Sequence, residues 1–233
     1  MIENIIYINL EERKDRKKHI IEELTKYISE DKIMRFDAIK HEHGFIGCAK
    51  SHLECIKLAR KNNWENVMVI EDDVHWYDYS NGIQLLEKLL TKKYDVIVCG
   101  GTFSYYNPWS YKLYECRCGS AYIVHKSYYN TLIKHWEFNL KLLEETLQVR
   151  KYMQDVTWKE LQWKDNWYIV YPPLFVQKEG HSNIGNKIVN HEKYFFISNF
   201  YTFKRKHQKT IIKVTSLLSI LYFLYINIIY LFY

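Results

Sequence analysis

The chain has 233 residues, 48% of them hydrophobic and 17% aromatic, enough for one large domain or two small ones with a sizeable core. Its net charge of +6 is modest, and Lys204, Arg205, Lys206, Lys209 and Lys213 near the C-terminus supply much of it, which argues against a general nucleic-acid binder with a basic folded face. Five cysteines (Cys48, Cys55, Cys99, Cys116 and Cys118) without a repeated CxxC spacing argue against a zinc site and are expected as reduced thiols.

The opening, "MIENIIYINLEERKDRKK", passes from a short apolar strand into a charged helix, which is not the pattern of a signal peptide. Residues 4–9 read as a buried strand, 13–27 as the charged helix and 34–37 as a second strand leading into a loop with His and Gly. Residues 47–62 predict a helix whose apolar face includes Cys48, Leu53, Cys55, Ile56, Leu58 and Ala59. Cys48 and Cys55, seven apart, fall on one face of it as small core residues.

A strand over 67–73 runs into three consecutive acids, Glu71, Asp72 and Asp73. A helix over 83–90 and a strand over 95–101, ending in glycines, follow. Beyond an aromatic loop come two strands, "YKLYECR" and "SAYIVH", a helix over 127–136, a long helical region over about 140–163 and a last strand stopped by Pro172 and Pro173. Strands alternating with helices indicate an α/β sandwich with a mainly parallel central sheet.

In such folds ligands bind beyond the carboxyl ends of the strands. The acids fall at that edge, as do Asn9 and Leu10 and also Gly100 and Gly101. Adjacent like charges raise one another's pKa, so either a positive group sits among the acids or they fan out into water. A hard divalent cation takes oxygen ligands, commonly one or two carboxylates plus phosphate oxygens. On an extended strand end Glu71 and Asp73 face one way and Asp72 the other.

The order of motifs resembles the family 25 glycosyltransferases, which include lipooligosaccharide and collagen galactosyltransferases. "IIYINLEERKDRKKHI" is similar to that family's opening strand and spaced arginines, and "GFIGCAKSHLECIKLA" to its Gly-x-x-Gly-Cys-x-x-Ser-His helix start. "VMVIEDDV" matches its acidic strand end, "CGSAYIVHKSYYNTLI" its Gly-(Ser/Thr)-x-x-Tyr-Ile segment, and "YIVYPPLFVQKEGHSNIG" its closing block. The resemblance covers most of residues 4–186. It implies a GT-A (Rossmann-like) fold, a UDP-sugar donor, Mn²⁺ or Mg²⁺ as cofactor, and transfer with inversion.

Carried over by position, the resemblance puts Asn9 and Leu10 in the nucleotide pocket, with Arg13 or Arg16 near the diphosphate, unless these are only surface arginines. Gly47, Ser51 and His52 fall at a helix start able to receive phosphate or hydroxyl groups, with a structural histidine as the alternative for His52. Glu71 and Asp73 are the metal-binding acids, with Asp72 and Glu71 toward the donor, and Gln177 and Ser182 join the donor side. His181 is a candidate late metal ligand or a plain loop hydrogen-bonder. Asp155 is the candidate base that takes the acceptor hydroxyl's proton, or else a helix cap, with Asp165 in reserve. Trp158, Trp163, Trp167 and Trp109, with Tyr105, Tyr106 and Tyr111, offer a sugar-stacking platform, although Trp158 reads better as core.

Asn183 stands where the family often has Asp, which costs a carboxylate. The chain also lacks the signal peptide and retention motif of lumenal collagen-modifying relatives. Residues 214–233 carry no charge and, as a helix, span roughly 30 Å, about a membrane's hydrocarbon core. The expected organisation is therefore a catalytic domain (1–202), a basic juxtamembrane segment (203–213) and a C-terminal transmembrane helix (214–233), membrane-associated with the domain facing the cytosol. The alternative for the helix is packing on the domain or at a dimer interface. The expected activity is metal-dependent inverting transfer of galactose or glucose from a UDP-sugar to a glycan or protein hydroxyl. Its rivals are a degenerate member that only binds a nucleotide sugar or glycan, and a metal-dependent phosphohydrolase.

Overall fold

A computed structural model describes residues 2, 4–182, 187–189, 192–196 and 218, with the backbone alone for those within 180–193. In chain order the elements are β1 (Ile5–Asn9), α1 (Lys14–Leu24), β2 (Ile33–Asp37), α2 (Gly44–Lys61), β3 (Asn66–Glu71), β4 (Val74–Trp76), α3 (Tyr79–Leu90), β5 (Val96–Tyr106) and β6 (Leu113–His125). Then come α4 (Tyr129–Thr146), α5 (Val149–Tyr152), α6 (Gln154–Thr157), α7 (Lys159–Lys164), β7 (Trp167–Ile169), β8 (Phe175–Gln177), β9 (Gly180–Ser182), β10 (Lys187–Val189) and α8 (Glu192–Phe195).

Six strands form the central sheet in the order β2-β1-β3-β6-β5-β7. β1 runs parallel to β2 and β3, and β5 to β7, while β6 is antiparallel to both its neighbours, so five strands share one direction. The expected mainly parallel sheet is present. β1, "IIYIN", is buried at every residue because both faces of the sheet are covered. Ile6 and Ile8 pack with Leu53, Ile56 and Ala59 of α2 and with Leu132 and Trp136 of α4. Ile5 and Tyr7 point the other way, onto Ile20 and Leu24 of α1 and Leu86 and Leu89 of α3. Burying each large aliphatic side chain contributes about 1.5–3 kcal/mol, and this two-sided core holds the sandwich.

The winding explains where a cleft opens. From β1 the chain crosses to β2 through α1 on one face. From β2 it returns past β1 to β3 through α2 on the other face. The segments after β1 and β2 therefore diverge, and a crevice is left at the carboxyl ends of these neighbours.

Several element bounds differ from expectation. α2 begins at Gly44, a turn before Gly47, and Gly47 is glycine for a packing reason: a Cβ there would lie 2.3 Å from the Ile39 carbonyl oxygen. β5 does not stop at its glycines but continues to Tyr106, and the two strands expected next are one, β6. A Cβ on Gly100 would meet Ser120 Oγ at 2.6 Å and the Phe175 carbonyl oxygen at 3.0 Å, so this glycine admits a neighbouring backbone rather than ending a strand.

The long helical region over 140–163 is broken into α4, α5, α6 and α7. Leu147 closes α4 with a left-handed φ of 54°, and Met153 is extended. Neither Gly nor Asn marks that cap, the usual signal. Trp158 and Trp167 are fully buried, edge to face with one another, as core. Trp163 and Trp109 are exposed, and Trp163 lies against Tyr105 and Tyr114 on the extension of the β5–β6 pair. The expected segments 203–213 and 214–233 lie outside the described residues, save Leu218. Among the described residues no helix is long and apolar enough to cross a membrane.

Candidate active site

The three acids occupy the end of β3 and the turn into β4. β4 pairs antiparallel with β8, Val74 opposite Gln177, and the Lys178 N–H donates to the Asp73 carbonyl at 2.8 Å. That pairing carries Gln177 across more than a hundred residues of chain to the acids. Its Nε2 donates to Glu71 Oε2 at 2.7 Å and to Asp73 Oδ1 at 3.2 Å. From the other side Arg16, in the first turn of α1, places Nη1 2.9 Å from Asp72 Oδ1 and 3.0 Å from Asp73 Oδ2. The positive group among the acids is thus a residue of the chain itself.

Asp72 and Asp73 stand in the turn after β3 and share the Arg16 guanidinium. Besides Arg16, Asp72 accepts a 2.7 Å hydrogen bond from Asn9 Nδ2. Asn9 is itself held by Arg35, whose Nε donates to Asn9 Oδ1 at 3.2 Å. Both Asp72 oxygens are thus engaged within the protein, which braces the site, and the residue also lines the cleft. Burial raises the Asp72 pKa against the pull of Arg16. Asp73 is lifted further, to about 7, by burial and by Glu71, with Arg16 opposing. Burial works against the charge on Arg16, but Asp73 and Asp72 outweigh it and hold the guanidinium above its ordinary pKa.

His52 is 1% exposed in the middle of α2. Its Nδ1 lies 2.9 Å from the Tyr122 hydroxyl and its Nε2 3.3 Å from Glu71 Oε1. Each Glu71 oxygen is thereby aimed by a partner, Oε1 by His52 and Oε2 by Gln177. Ser51 is fully buried. Its hydroxyl accepts from the Ile39 N–H at 2.8 Å and donates to the Gly47 carbonyl at 2.7 Å. The expectation that Gly47, Ser51 and His52 offer a helix N-terminus to phosphate is corrected, because α2 starts a turn earlier. Gly47 and Ser51 instead clamp residues 38–41 against the helix.

These groups surround a cleft of about 290 Å³ at the carboxyl ends of β1, β2 and β3. Leu10, Arg13, Arg16, Gly47, Ser51, His52, Glu71, Asp72, Asp73 and Gln177 all line it. Arg13 pairs with Asp15 at 2.9 Å. Lining residues that the sequence did not point to include Glu12, residues 38–42, Gly44, Cys48 and Lys178. Cys48 was assigned to the core, although its spacing of four from His52 puts the two on one helical face toward the acids.

Asp155, in the first turn of α6, is not on the cleft wall. Its Oδ2 accepts from the Cys118 N–H at 3.1 Å, and Cys118 Sγ lies 3.3 Å from Gln177 Oε1. Burial raises the Asp155 pKa, the Cys118 N–H lowers it and Glu71 raises it again. Asp165 is remote: it accepts a 2.5 Å hydrogen bond from the Tyr128 hydroxyl just before β7, at the opposite edge of the sheet. His181 and Ser182 lie in β9, and their side chains are outside the described residues.

The architecture has solved counterparts. The chain is similar to a glycosyltransferase involved in the glycosylation of the major capsid of PBCV-1, with a TM-score of 0.50 and 14% identity over 76% of this chain and 93% of that one. It is also similar to A197 from STIV (TM-score 0.46, 13% identity, 81% and 93% of the chains). A further similarity is to the apo form of the glycosyltransferase GlyE in Streptococcus pneumoniae TIGR4 (TM-score 0.48, 9% identity, 90% of this chain and 64% of that one). No family model matches the chain, and no curated protein matches it. At 14% identity the likeness to the first of these is one of fold, and it gives this chain a GT-A-like glycosyltransferase fold.

Proposed function

We propose that the chain is a metal-dependent, inverting glycosyltransferase of family 25, which transfers galactose or glucose from a UDP-sugar to a hydroxyl of a glycan or protein. One observation carries this reading. In a glycosyltransferase fold, Glu71 and Asp73 converge on the single amide of Gln177 at the mouth of a cleft in the topological switch region. Two carboxylates forced together, one with its pKa lifted to about 7, are what a hard cation relieves. The donor set therefore fits Mn²⁺ or Mg²⁺ held by Glu71 and Asp73, with His181 as a further candidate ligand and phosphate oxygens completing the sphere. The cation supplies charge stabilisation for a diphosphate leaving group.

The remaining roles belong to the chain. Leu10 and residues 38–41 offer walls for a base and ribose. Arg16, bridging Asp72 and Asp73, is placed to turn part of its charge toward a diphosphate, and its fork suits phosphate oxygens. Arg13 has the same chemistry further out on the rim. His52, Asn9 and Gln177 hold the carboxylates rather than touching the donor. Asp155 is the proposed base: burial raises the pKa of its carboxyl group, which makes it a better proton acceptor than a solvated one. The apolar residues 214–233 keep a membrane tether, with the domain facing the cytosol, as a proposal that rests on sequence.

The test incubates the full-length protein with Mn²⁺ and a panel of nucleotide sugars and follows nucleotide release beside an Asp73→Asn control. Release of UDP from one sugar, lost with chelator and reduced about 100-fold or more in the variant, is the expected result. Absence of release from every donor, together with no metal-dependent thermal shift, overturns the reading.

A further inference from the structure

We propose that Cys48, His52 and Glu71 form a binding site for a borderline-soft divalent cation of the zinc type, which competes with the Glu71–Asp73 pair for Glu71. The thiol sulfur, a ring nitrogen and a carboxylate oxygen of these residues all lie within 4.8 Å of one another. A tetrahedral zinc with bonds of ~2.0–2.3 Å sets its ligands ~3.5 Å apart, so the site closes on a cation by roughly 1 Å of side-chain movement. Cys48 and His52 are four apart on rigid α2, a spacing that presents both to one point.

Each donor is also aimed by an outer partner that is itself buried. Gln154 Nε2 lies 3.5 Å from Cys48 Sγ, the Tyr122 hydroxyl 2.9 Å from His52 Nδ1, and Gln177 Nε2 2.7 Å from Glu71 Oε2. Outer partners of this kind fix ring tautomer and ligand orientation in metal sites. The Tyr122 hydroxyl can take either role toward Nδ1, so on cation binding Nδ1 donates to the Tyr122 oxygen while Nε2 gives up Glu71 Oε1 and turns its lone pair to the cation. All three residues line the cleft, which gives the ion a route in and leaves a fourth position for water.

Sulfur and imidazole select zinc over magnesium or manganese, whereas two carboxylates do the reverse. On binding, the thiol gives its proton to solvent as the sulfur–metal bond forms, with no change of oxidation state. The binding stands on these side chains alone. The competition rests on the reading of Glu71 and Asp73 as the cation site of a glycosyltransferase.

The experiment titrates metal-free, full-length protein with Co²⁺ as a spectroscopic stand-in. A thiolate-to-cobalt charge-transfer band that zinc abolishes stoichiometrically is expected, and it is lost in Cys48→Ala and in His52→Gln but kept in Cys118→Ala. Zinc affinity falls at least tenfold in Cys48→Ala. On the unaltered protein, zinc but not magnesium slows alkylation of Cys48, mapped by mass spectrometry, so the test survives a variant that fails to fold. Cobalt binding without the band, a band that persists in Cys48→Ala, or equal protection by magnesium and zinc overturns the site. If zinc protects Cys48 but no donor is turned over and neither Mn²⁺ nor Mg²⁺ shifts the thermal midpoint, the site stands and the glycosyltransferase reading falls.

Discussion

At the scale of single residues, the acids at the end of β3 are unequal, and their partners make them so. Asp72 spends both oxygens on Arg16 and Asn9, whereas Asp73 shares one amide with Glu71 and is lifted to about 7. For a carboxylate whose folded pKa is raised, the stabilising contribution is complete below its unfolded value near 4 and is lost as pH rises through about 7. Metal-free protein is therefore expected to lose stability steadily between these limits, an effect that Asp73→Asn flattens. Urea unfolding across that pH range, with chelator present, measures it. Ser51 gives a second prediction. Ser51→Ala removes the acceptor of the half-buried Ile39 N–H and the donor to the Gly47 carbonyl, so unfolding free energy should fall by about 1 kcal/mol.

At the scale of elements, the site depends on close approaches that α2 and β8 make possible. Glycine at 47 lets residues 38–41 lie on the helix, and the β4–β8 pair delivers Gln177 to the acids. The broken helix after α4 carries its own prediction. Leu147 holds a left-handed φ of 54° and is 46% exposed, so it bears backbone strain without a core contact to offset it. Leu147→Gly should raise stability by about 1 kcal/mol, read as a higher thermal midpoint. A lowered midpoint would mean that the turn between α4 and α5 depends on the leucine side chain. The element types of the first half were legible because strand and helix periodicities there are clean. The break at Leu147 was not, since nothing in the residues 140–163 marks a cap.

At the scale of the whole molecule, opposite winding of α1 and α2 around β1 and β2 opens the cleft, and the third strand end carries the acids to its mouth. Bound nucleotide and metal should therefore protect segments far apart in sequence. With UDP and Mn²⁺, amide exchange is expected to slow over residues 9–16, 38–47, 71–74 and 177–178. It should stay unchanged over 79–90, whose helix packs on the far layer of the sheet. Protection confined to 79–90 would relocate the ligand site.

The sequence by itself determined the class of fold, the edge of the sheet where the acids gather, and half of the residues around the cleft. Strand and helix periods and an acidic strand end are local properties, and motifs keep their order along the chain. Only the tertiary structure decided which of those residues meet one another. Asp72 and Ser51 became supports, Asp165 fell to the opposite edge, Arg16 proved to be the cation among the acids, and Cys48 joined His52 beside Glu71. The physical reason is that a hydrogen-bond partner or an ion pair is chosen by which strands and helices meet, across separations such as the 104 residues between Asp73 and Gln177. No spacing within one segment encodes that meeting.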